Sequence, residues 1–416
     1  MVKNTHNRAS IWLAWLITSL FYTYQYILRV IPNIIMPNIT EKFRIDSADF
    51  GQFAGIYYIT YAAAHIPIGT LLDKKGPKYV VPACILITIL GTLPLILSDS
   101  WIVVCIGRAL IGFGSAGAIL GLFKVTHIGF PRHQFARVVG IGAFVGLMGA
   151  LYGGKPLAYL IATYGYETII KYLIYAGLLF ALIAVLVMPK AKGIRSDEVN
   201  LRKDLAEIWK HKDIIYISLF AGLMVGPLEG FADAWGAAFM QNVYSMDRAT
   251  ASFLTSIVFL GMAFGSSLIA YLGEKTKSYY SVIISCAAMM TIFFVVIMLK
   301  ITTMTYILMC LFFMIGILSG YQILTTYLST TFVREGVVGL TTAIVNMIVM
   351  SFGYLFHSVI GKMLSLTWDG TMIDGAKAYS SESYIYSISV IPICLAIGGL
   401  GFFWLRSKQR KAANLD

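Results

Sequence analysis

Two carboxylates, Glu229 and Asp233, stand four residues apart in the apolar run "GPLEGFADAW". Other apolar runs hold Arg29, Arg108, Lys124 and Lys155, with two imidazoles, His65 and His357. In a low dielectric such groups carry protons, pair with one another, or bind a charged ligand. Two carboxylates on one helical face resist ionising together, so one can hold a proton near neutral pH unless a cation neutralises it. Glu229 and Asp233 are therefore the first candidates for proton coupling. His357 is a further one, because imidazole titrates at about pH 6.5; the plainer reading is a neutral, hydrogen-bonded residue in a packed helix.

The stretch "GALYGGKP" at 149–156 nearly spells the phosphate loop G-x-x-x-x-G-K-[ST]. Pro156 replaces the hydroxyl that would bind magnesium, and the stretch lies inside an apolar run rather than after a soluble strand. Its glycines suit close helix packing, and Pro156 is expected to kink the helix beside Lys155. No H-E-x-x-H occurs, and the five cysteines all lie in apolar runs with no C-x-x-C pair. No enzymatic role, cofactor, metal or disulfide is therefore expected.

The elements that position these groups follow from composition. The chain has 416 residues, of which 58% are hydrophobic and 12% charged. A soluble domain needs far more surface charge, so the class is an all-α polytopic membrane protein. Twelve segments of roughly 20 or more apolar residues are readable, at about 10–36, 50–73, 79–97, 101–128, 138–163, 168–188, 214–240, 252–273, 279–299, 304–331, 338–365 and 384–405. The first is too long for a signal peptide and lacks a cleavage site, so it is expected to remain as helix 1.

Twelve spans put both termini on one side. That side collects 21 of the 32 basic residues, against seven opposite, which makes it the cytoplasm. The net charge of +12 then reflects topology and anionic lipid, and no nucleic-acid partner is expected.

Depth along the spans is informative. Counted from the cytoplasmic end, Glu229 is about 15 residues in, Lys155 about 17, and Arg29, Asp233 and His357 about 19. At about 1.5 Å per residue these fall in one layer, slightly to the outer side of the midplane. Around them run polar stripes: Tyr22, Gln25, Tyr26, Arg29 and Asn33; Tyr57, Tyr61 and His65; Tyr321, Gln322, Thr325 and Ser329. Facing lipid, such stripes would be costly, so they are expected to point inward. Tyr22, Gln25, Tyr26, Arg29, Tyr61, Lys155, Glu229, Gln322 and His357 are thus the substrate-binding candidates. A structural ion pair between Lys155 or Arg29 and Glu229 or Asp233 is the competing reading.

The halves read as one unit used twice. "IDSADF" at 45–50 matches "MDRATA" at 246–251, and the same offset of 201 takes Asp73-Lys74 to Glu274-Lys275. The expected organisation is a six-helix bundle over 1–188, a linker over 189–213, a second bundle over 214–405 and a tail over 406–416. Within the linker, "DLAEIW" suggests a short interfacial helix or a solvated connector.

These segments resemble the major facilitator superfamily. "GTLLDKKGPK" at 69–78 is similar to its signature between helices 2 and 3, with Gly69, Asp73, Lys74, Gly76 and Lys78 in place and Pro77 departing from it. "GRALIGFGSAG" at 107–117, with Arg108, Gly112 and Gly114, resembles its helix 4 signature, and "FPRHQFAR" at 130–137 its following loop. The resemblance implies two pseudo-symmetric six-helix bundles and a substrate site between them near the midplane. It implies that Gly69, Asp73, Lys74, Gly76 and Lys78 form a cytoplasmic latch, with Asp73 partnered by the facing half, and that Arg108 shapes the cavity through hydrogen bonds to helix 1. On residue chemistry alone, Gly69 and Gly76 permit close approach and a tight turn, and Lys124 is placed to snorkel.

Transport driven by a gradient is therefore expected, with a proton as the coupling ion, a small polar solute as substrate, the bilayer as surroundings and a monomer as the working unit. A zwitterion or anion such as an amino acid, peptide or carboxylate fits Arg29 and Lys155 with Glu229. Arg29, Lys124 and Glu229 are similar in kind to the set in proton-coupled peptide transporters, without that family's helix 1 signature. The antiporter signature G-P-x-x-G-G is absent, since the order here is Gly153-Gly154-Lys155-Pro156. "FYTYQYILRV" with "GLFKV" resembles a group of uncharacterised bacterial facilitators. Sugar or drug transport, and a non-transporting sensor on the same fold, remain the alternatives.

Overall fold

The computed structural model describes residues 8–131, 134–190, 201–334, 337–373 and 376–413. Of the basic residues assigned to the cytoplasmic side, Lys3, Arg132, Lys192 and Arg195 lie outside these, as do parts of the linker and of "FPRHQFAR".

The described chain is almost wholly helical and forms two compact units. One comprises 1–38 and 56–198, the other 39–55 and 199–416. Ten described helices are long and apolar enough to cross a membrane, and a bent pair makes eleven. The helix Ser47–Lys75 has 29 residues but is not among them; its Tyr57, Tyr61 and His65 face lowers its hydropathy.

The first unit is built from α1 (Arg8–Val30), α2 (Pro32–Phe43) up to Asn38, α3 (Ser47–Lys75) from Ile56 onward, α4 (Pro77–Thr92), a turn of helix α5 (Pro94–Leu97), α6 (Trp101–Gly129), α7 (Phe135–Tyr152), α8 (Lys155–Tyr164) and α9 (Tyr166–Val187). Here α1 packs on α6 and α7, and α4 on α6 and α9. Small residues allow the approach: a Cβ on Gly114 would strike the backbone of α4 at Cys84. Outward-facing positions are apolar, as lipid requires; Leu182 and Leu186 on α9 are 60% and 72% exposed.

The second unit holds α10 (Leu201–Lys210), α11 (Lys212–Leu223), a π-helix (Gly226–Trp235), α12 (Gly236–Tyr244), α13 (Arg248–Thr276), α14 (Tyr279–Met298), α15 (Thr305–Ser319), α16 (Tyr321–Thr330), α17 (Val338–Leu366), the short antiparallel strands β1 (Met372–Ile373) and β2 (Ala376–Lys377), α18 (Ser381–Ile388) and α19 (Val390–Ala413). Within it α13 packs on α15, α14 on α19, and α17 on α11 and the π-helix.

The offset of 201 has a structural counterpart. Both α3 and α13 run for 29 residues, starting at Ser47 and Arg248. Each follows an aspartate that caps its first turn: Asp46 accepts from the amides of Ala48 and Asp49, Asp247 from that of Thr250.

Segment 39–55 belongs to the second unit, where the first turns of α3 lie against α17. A Cβ on Gly51 would collide with the carbonyl of His357, and one on Gly361 with that of Ser47. Ser47 Oγ donates to the Gly361 carbonyl at 2.9 Å. Asp46 accepts from Ser365 Oγ at 2.9 Å and pairs with Lys377 Nζ at 3.3 Å. Partial burial pulls the Asp46 carboxyl up, but hydrogen bonds from the Asp49 amide, Ser365 and Lys377 outweigh it and hold the carboxyl below its usual value.

The linker supplies α10. Ile208 is fully buried, and Asp204 and Glu207 receive Arg334 at 2.5 and 2.9 Å. A solvated connector therefore does not describe this stretch: α10 is docked on the second unit.

Candidate functional site

In the first unit the site grows from the break between α1 and α2. Pro32 has no amide hydrogen, so the Leu28 carbonyl one turn earlier lacks its helical donor. Arg108, on α6, supplies the missing bond. Its Nη1 donates to the Leu28 carbonyl at 2.7 Å and its Nη2 to that of Arg29 at 2.9 Å. The guanidinium also lies 4.8 Å from the centre of the Tyr57 ring.

This brace fixes the end of α1, and with it Arg29. That side chain is 5% exposed. Its Nε donates to Tyr58 Oη at 3.1 Å, and its guanidinium stands 5.1 and 5.0 Å from the Tyr26 and Tyr58 ring centres. Around it Tyr57 Oη donates to Gln25 Oε1 at 2.5 Å, Tyr57 stacks on Tyr61, and Tyr61 meets His65 edge-on. Tyr22 packs against Tyr26. His65 Nδ1 lies 2.8 Å from the Tyr61 carbonyl of its own helix. Tyr22, Gln25, Tyr26, Arg29 and Tyr61 thus form one cluster, joined by Tyr57 and Tyr58. Tyr58 was missed as a candidate; it neighbours Tyr57 in sequence, and only the rotation of α3 shows that both reach arginines.

Lys155 stands at the start of α8. The α7–α8 pair bends by 42° at Gly153-Gly154, and Lys155 opens α8 with an exposed side chain, unlike the buried Arg29, Glu229, Asp233 and His357. Counting depth along a straight helix placed it in their layer; the bend removes that basis. Pro156 sits in the first turn of the new helix, where proline is tolerated, and the glycines before it make the break.

The signature loop divides in two. Gly76 has φ of 77° and makes the tight turn between α3 and α4. Gly69 makes no close approach: nothing lies within 4 Å of where its Cβ would stand, because it borders a cleft of about 340 Å³ between α3 and α6. Asp73 lines this cleft and accepts from Lys124 Nζ at 2.7 Å. Its partner here is thus a lysine of the same unit, and Lys124 meets a carboxylate instead of snorkelling. Lys74 is exposed and Lys78 half-buried.

In the second unit the candidates gather at a second break. The sequence reads 214–240 as one helix, but α11 stops at Leu223 and the chain continues as a π-helix from Gly226. Pro227 cannot donate, and the wide turn re-aims its side chains; such segments recur at functional sites. Glu229 and Asp233 are each 1% exposed. Phe231, between them in sequence, packs among Phe239, Phe294 and Phe312. Tyr321 donates to the Ala221 carbonyl at 2.8 Å, bracing the end of α11, and lies near Glu229. A side chain from a later helix thus braces the first break of each unit.

His357 is buried on α17, which packs against the π-helix, and its Nδ1 lies 2.7 Å from the Gly353 carbonyl. Gln322 is half-buried, while Thr325 and Ser329 donate to carbonyls of their own helix. Among the described residues no group of His, Cys, Asp or Glu has metal-binding geometry.

The family model described as Major Facilitator Superfamily matches residues 14–358. The chain is 25% identical over 307 residues to the "Uncharacterized transporter YybO" of Bacillus subtilis, covering 65% of this chain and 69% of that protein. Its fold is similar to that of a bacterial homolog of the human lysosomal transporter Spinster, with a TM-score of 0.77, 18% identity and coverage of 96% and 97% of the two chains. It is also similar to that of a D-xylose-proton symporter, with a TM-score of 0.71, 13% identity and coverage of 94% and 97%. The profile covers most of the sequence, and the whole fold matches transporter structures: the chain belongs to the major facilitator superfamily.

Proposed function

We propose that the chain is a secondary active transporter of the cytoplasmic membrane, with both termini in the cytoplasm, that moves a small zwitterionic or anionic metabolite by alternating access at the expense of a proton gradient. The observation that carries this reading is the division of buried charge. The first unit buries Arg29 and Arg108 among tyrosines; the second buries Glu229 and Asp233 in a π-helix beside Tyr321. Arg29, with Tyr22, Gln25, Tyr26 and Tyr61, offers a planar cation and aromatic faces to a carboxylate. Glu229, seconded by Asp233 and His357, carries the coupling proton at the edge of the substrate site, and Gln322 adds a polar contact. An amino acid, a peptide or a carboxylate fits this chemistry; the relatives' names support the class and leave the substrate to the residues.

Gly69, Asp73, Lys74, Gly76 and Lys78 form the cytoplasmic latch, with Lys124 as the partner of Asp73, and Arg108 holds the end of α1 rigid. Lys155, at the bend between α7 and α8, adds a further cation to the substrate site. The chain works as a monomer.

The test has two steps. A thermal-shift screen of amino acids, dipeptides, carboxylates and sugars on purified protein finds the ligand class, since binding to the folded state raises its stability. The hits are then assayed for accumulation in proteoliposomes under an imposed proton gradient. Accumulation that collapses with a protonophore supports the reading; binding without flux would sink it in favour of a sensor.

A further inference from the structure

A second polar cleft lies in the second unit, away from the buried carboxylates. Its volume is about 420 Å³, and it is lined by the ends of α13, α14, α16 and α19. Three cations face it: Lys277, Arg406 and Arg410. Arg406 and Arg410 are one turn apart on α19 and so share a face. Lys408, between them, points elsewhere and pairs with Asp213 at 2.6 Å. Among the described residues none of the three cleft cations is in an ion pair; two acids lie near the cleft, Glu274 on the last turn of α13 beside Tyr279 and Asp213 near Tyr280, the latter already paired with Lys408.

Two details indicate that the cleft is built. Lys277 caps α13 with φ of 49°, in the left-handed region where glycine or asparagine is the usual choice. A lysine there keeps a charge at a position whose backbone disfavours it. Gln409 Nε2 donates to Tyr280 Oη at 2.7 Å, tying the wall of α19 to the start of α14.

The cleft is also at the right level. It sits where four spans end, and Trp404, about half exposed, and Tyr327 mark the boundary zone that aromatic residues favour. Three cations, tyrosine hydroxyls and an apolar edge at Leu328 suit a phosphodiester with acyl chains beneath it.

We propose that Lys277, Arg406 and Arg410 bind the headgroup phosphate of an anionic phospholipid. The site is separate from the transport site and does not depend on which solute is carried.

The test is retention of lipid by purified full-length protein, read by native mass spectrometry, and the rise in melting temperature on adding phosphatidylglycerol. Phosphatidylcholine and inorganic phosphate are the comparison ligands. Arg406→Gln with Arg410→Gln is expected to weaken phosphatidylglycerol binding by about fivefold per charge removed. Arg406→Lys with Arg410→Lys should retain it. Lys275→Gln, which removes a charge outside the cleft, should leave it within about twofold. If the double glutamine variant does not fold, Lys277→Gln alone is read for the single-charge loss. Equal binding of phosphatidylcholine, or an equal loss from Lys275→Gln, would overturn the site. Saturation by inorganic phosphate with no preference for lipid would overturn its lipid origin.

Discussion

Arg108 replaces the hydrogen bond that Pro32 withholds. The proline leaves the Leu28 carbonyl without its helical donor, and Arg108 Nη1 reaches it at 2.7 Å from α6. The same guanidinium holds the carbonyl of Arg29, so the residue that breaks α1 and the residue that repairs it together aim the candidate substrate cation.

Arg108→Leu should therefore destabilise the protein by about 1–3 kcal/mol, the cost of a buried carbonyl left without a partner. Adding Pro32→Ala restores an amide donor and should recover part of that loss. A double-mutant cycle on melting temperatures in detergent measures the coupling. Strict additivity of the two substitutions would rule out the repair.

The pair between Asp73 and Lys124 calls for a different signature. The Asp73 side chain is 61% exposed, so Asp73→Asn should change stability by less than about 1 kcal/mol. If Asp73 serves the latch, the initial transport rate should fall severalfold all the same. A variant that melts many degrees lower at an unchanged rate would show a purely structural role.

Asp46 sets an acid limit for the contact between segment 39–55 and α17. Its carboxyl is held below the usual 3.8, so its contribution is full above that value and is lost as pH falls through the folded-state value. Asp46→Asn should lower stability by about 1 kcal/mol at neutral pH, the worth of its bonds to Ser365 and Lys377. The gap between variant and parent should close on acidification below pH 3.8. Melting curves across pH check this, and a gap that widens in acid contradicts it.

Glycines separate by what faces them. Gly51→Ala would place a methyl on the His357 carbonyl and should cost about 1–3 kcal/mol. Gly69→Ala, with open space beside it, should be neutral or stabilising by up to about 1 kcal/mol in its helix. Equal melting temperatures for the two variants would show that the close approach of α3 and α17 does not matter.

What could be read from the sequence was local. The apolar runs gave the spans, Gly76 the turn after α3, and the spacing of Asp46 and Asp247 the matched 29-residue helices they cap. What could not be read depended on residues far apart. Nothing near Pro32 announces that Arg108 repairs it. The run 214–240 looks uniformly helical because a π-turn and an α-turn have the same apolar composition, so the re-aiming of Glu229 was invisible. A kink beside Lys155 was legible from Pro156, but not its seat at Gly153-Gly154 or its 42°, so the depth of Lys155 does not follow from counting along a straight axis. Lys124 and Asp73 are far apart in sequence, and only packing of α3 on α6 joins them.

The central claim, that Glu229 couples substrate to protons, is tested most directly by Glu229→Gln in proteoliposomes. The variant keeps the shape of the protonated side chain, with one accepting oxygen and a donor in place of the acid O–H, but cannot exchange a proton. Proton-driven accumulation should be lost while counterflow exchange of the same substrate continues. Accumulation at the parental level would contradict the claim.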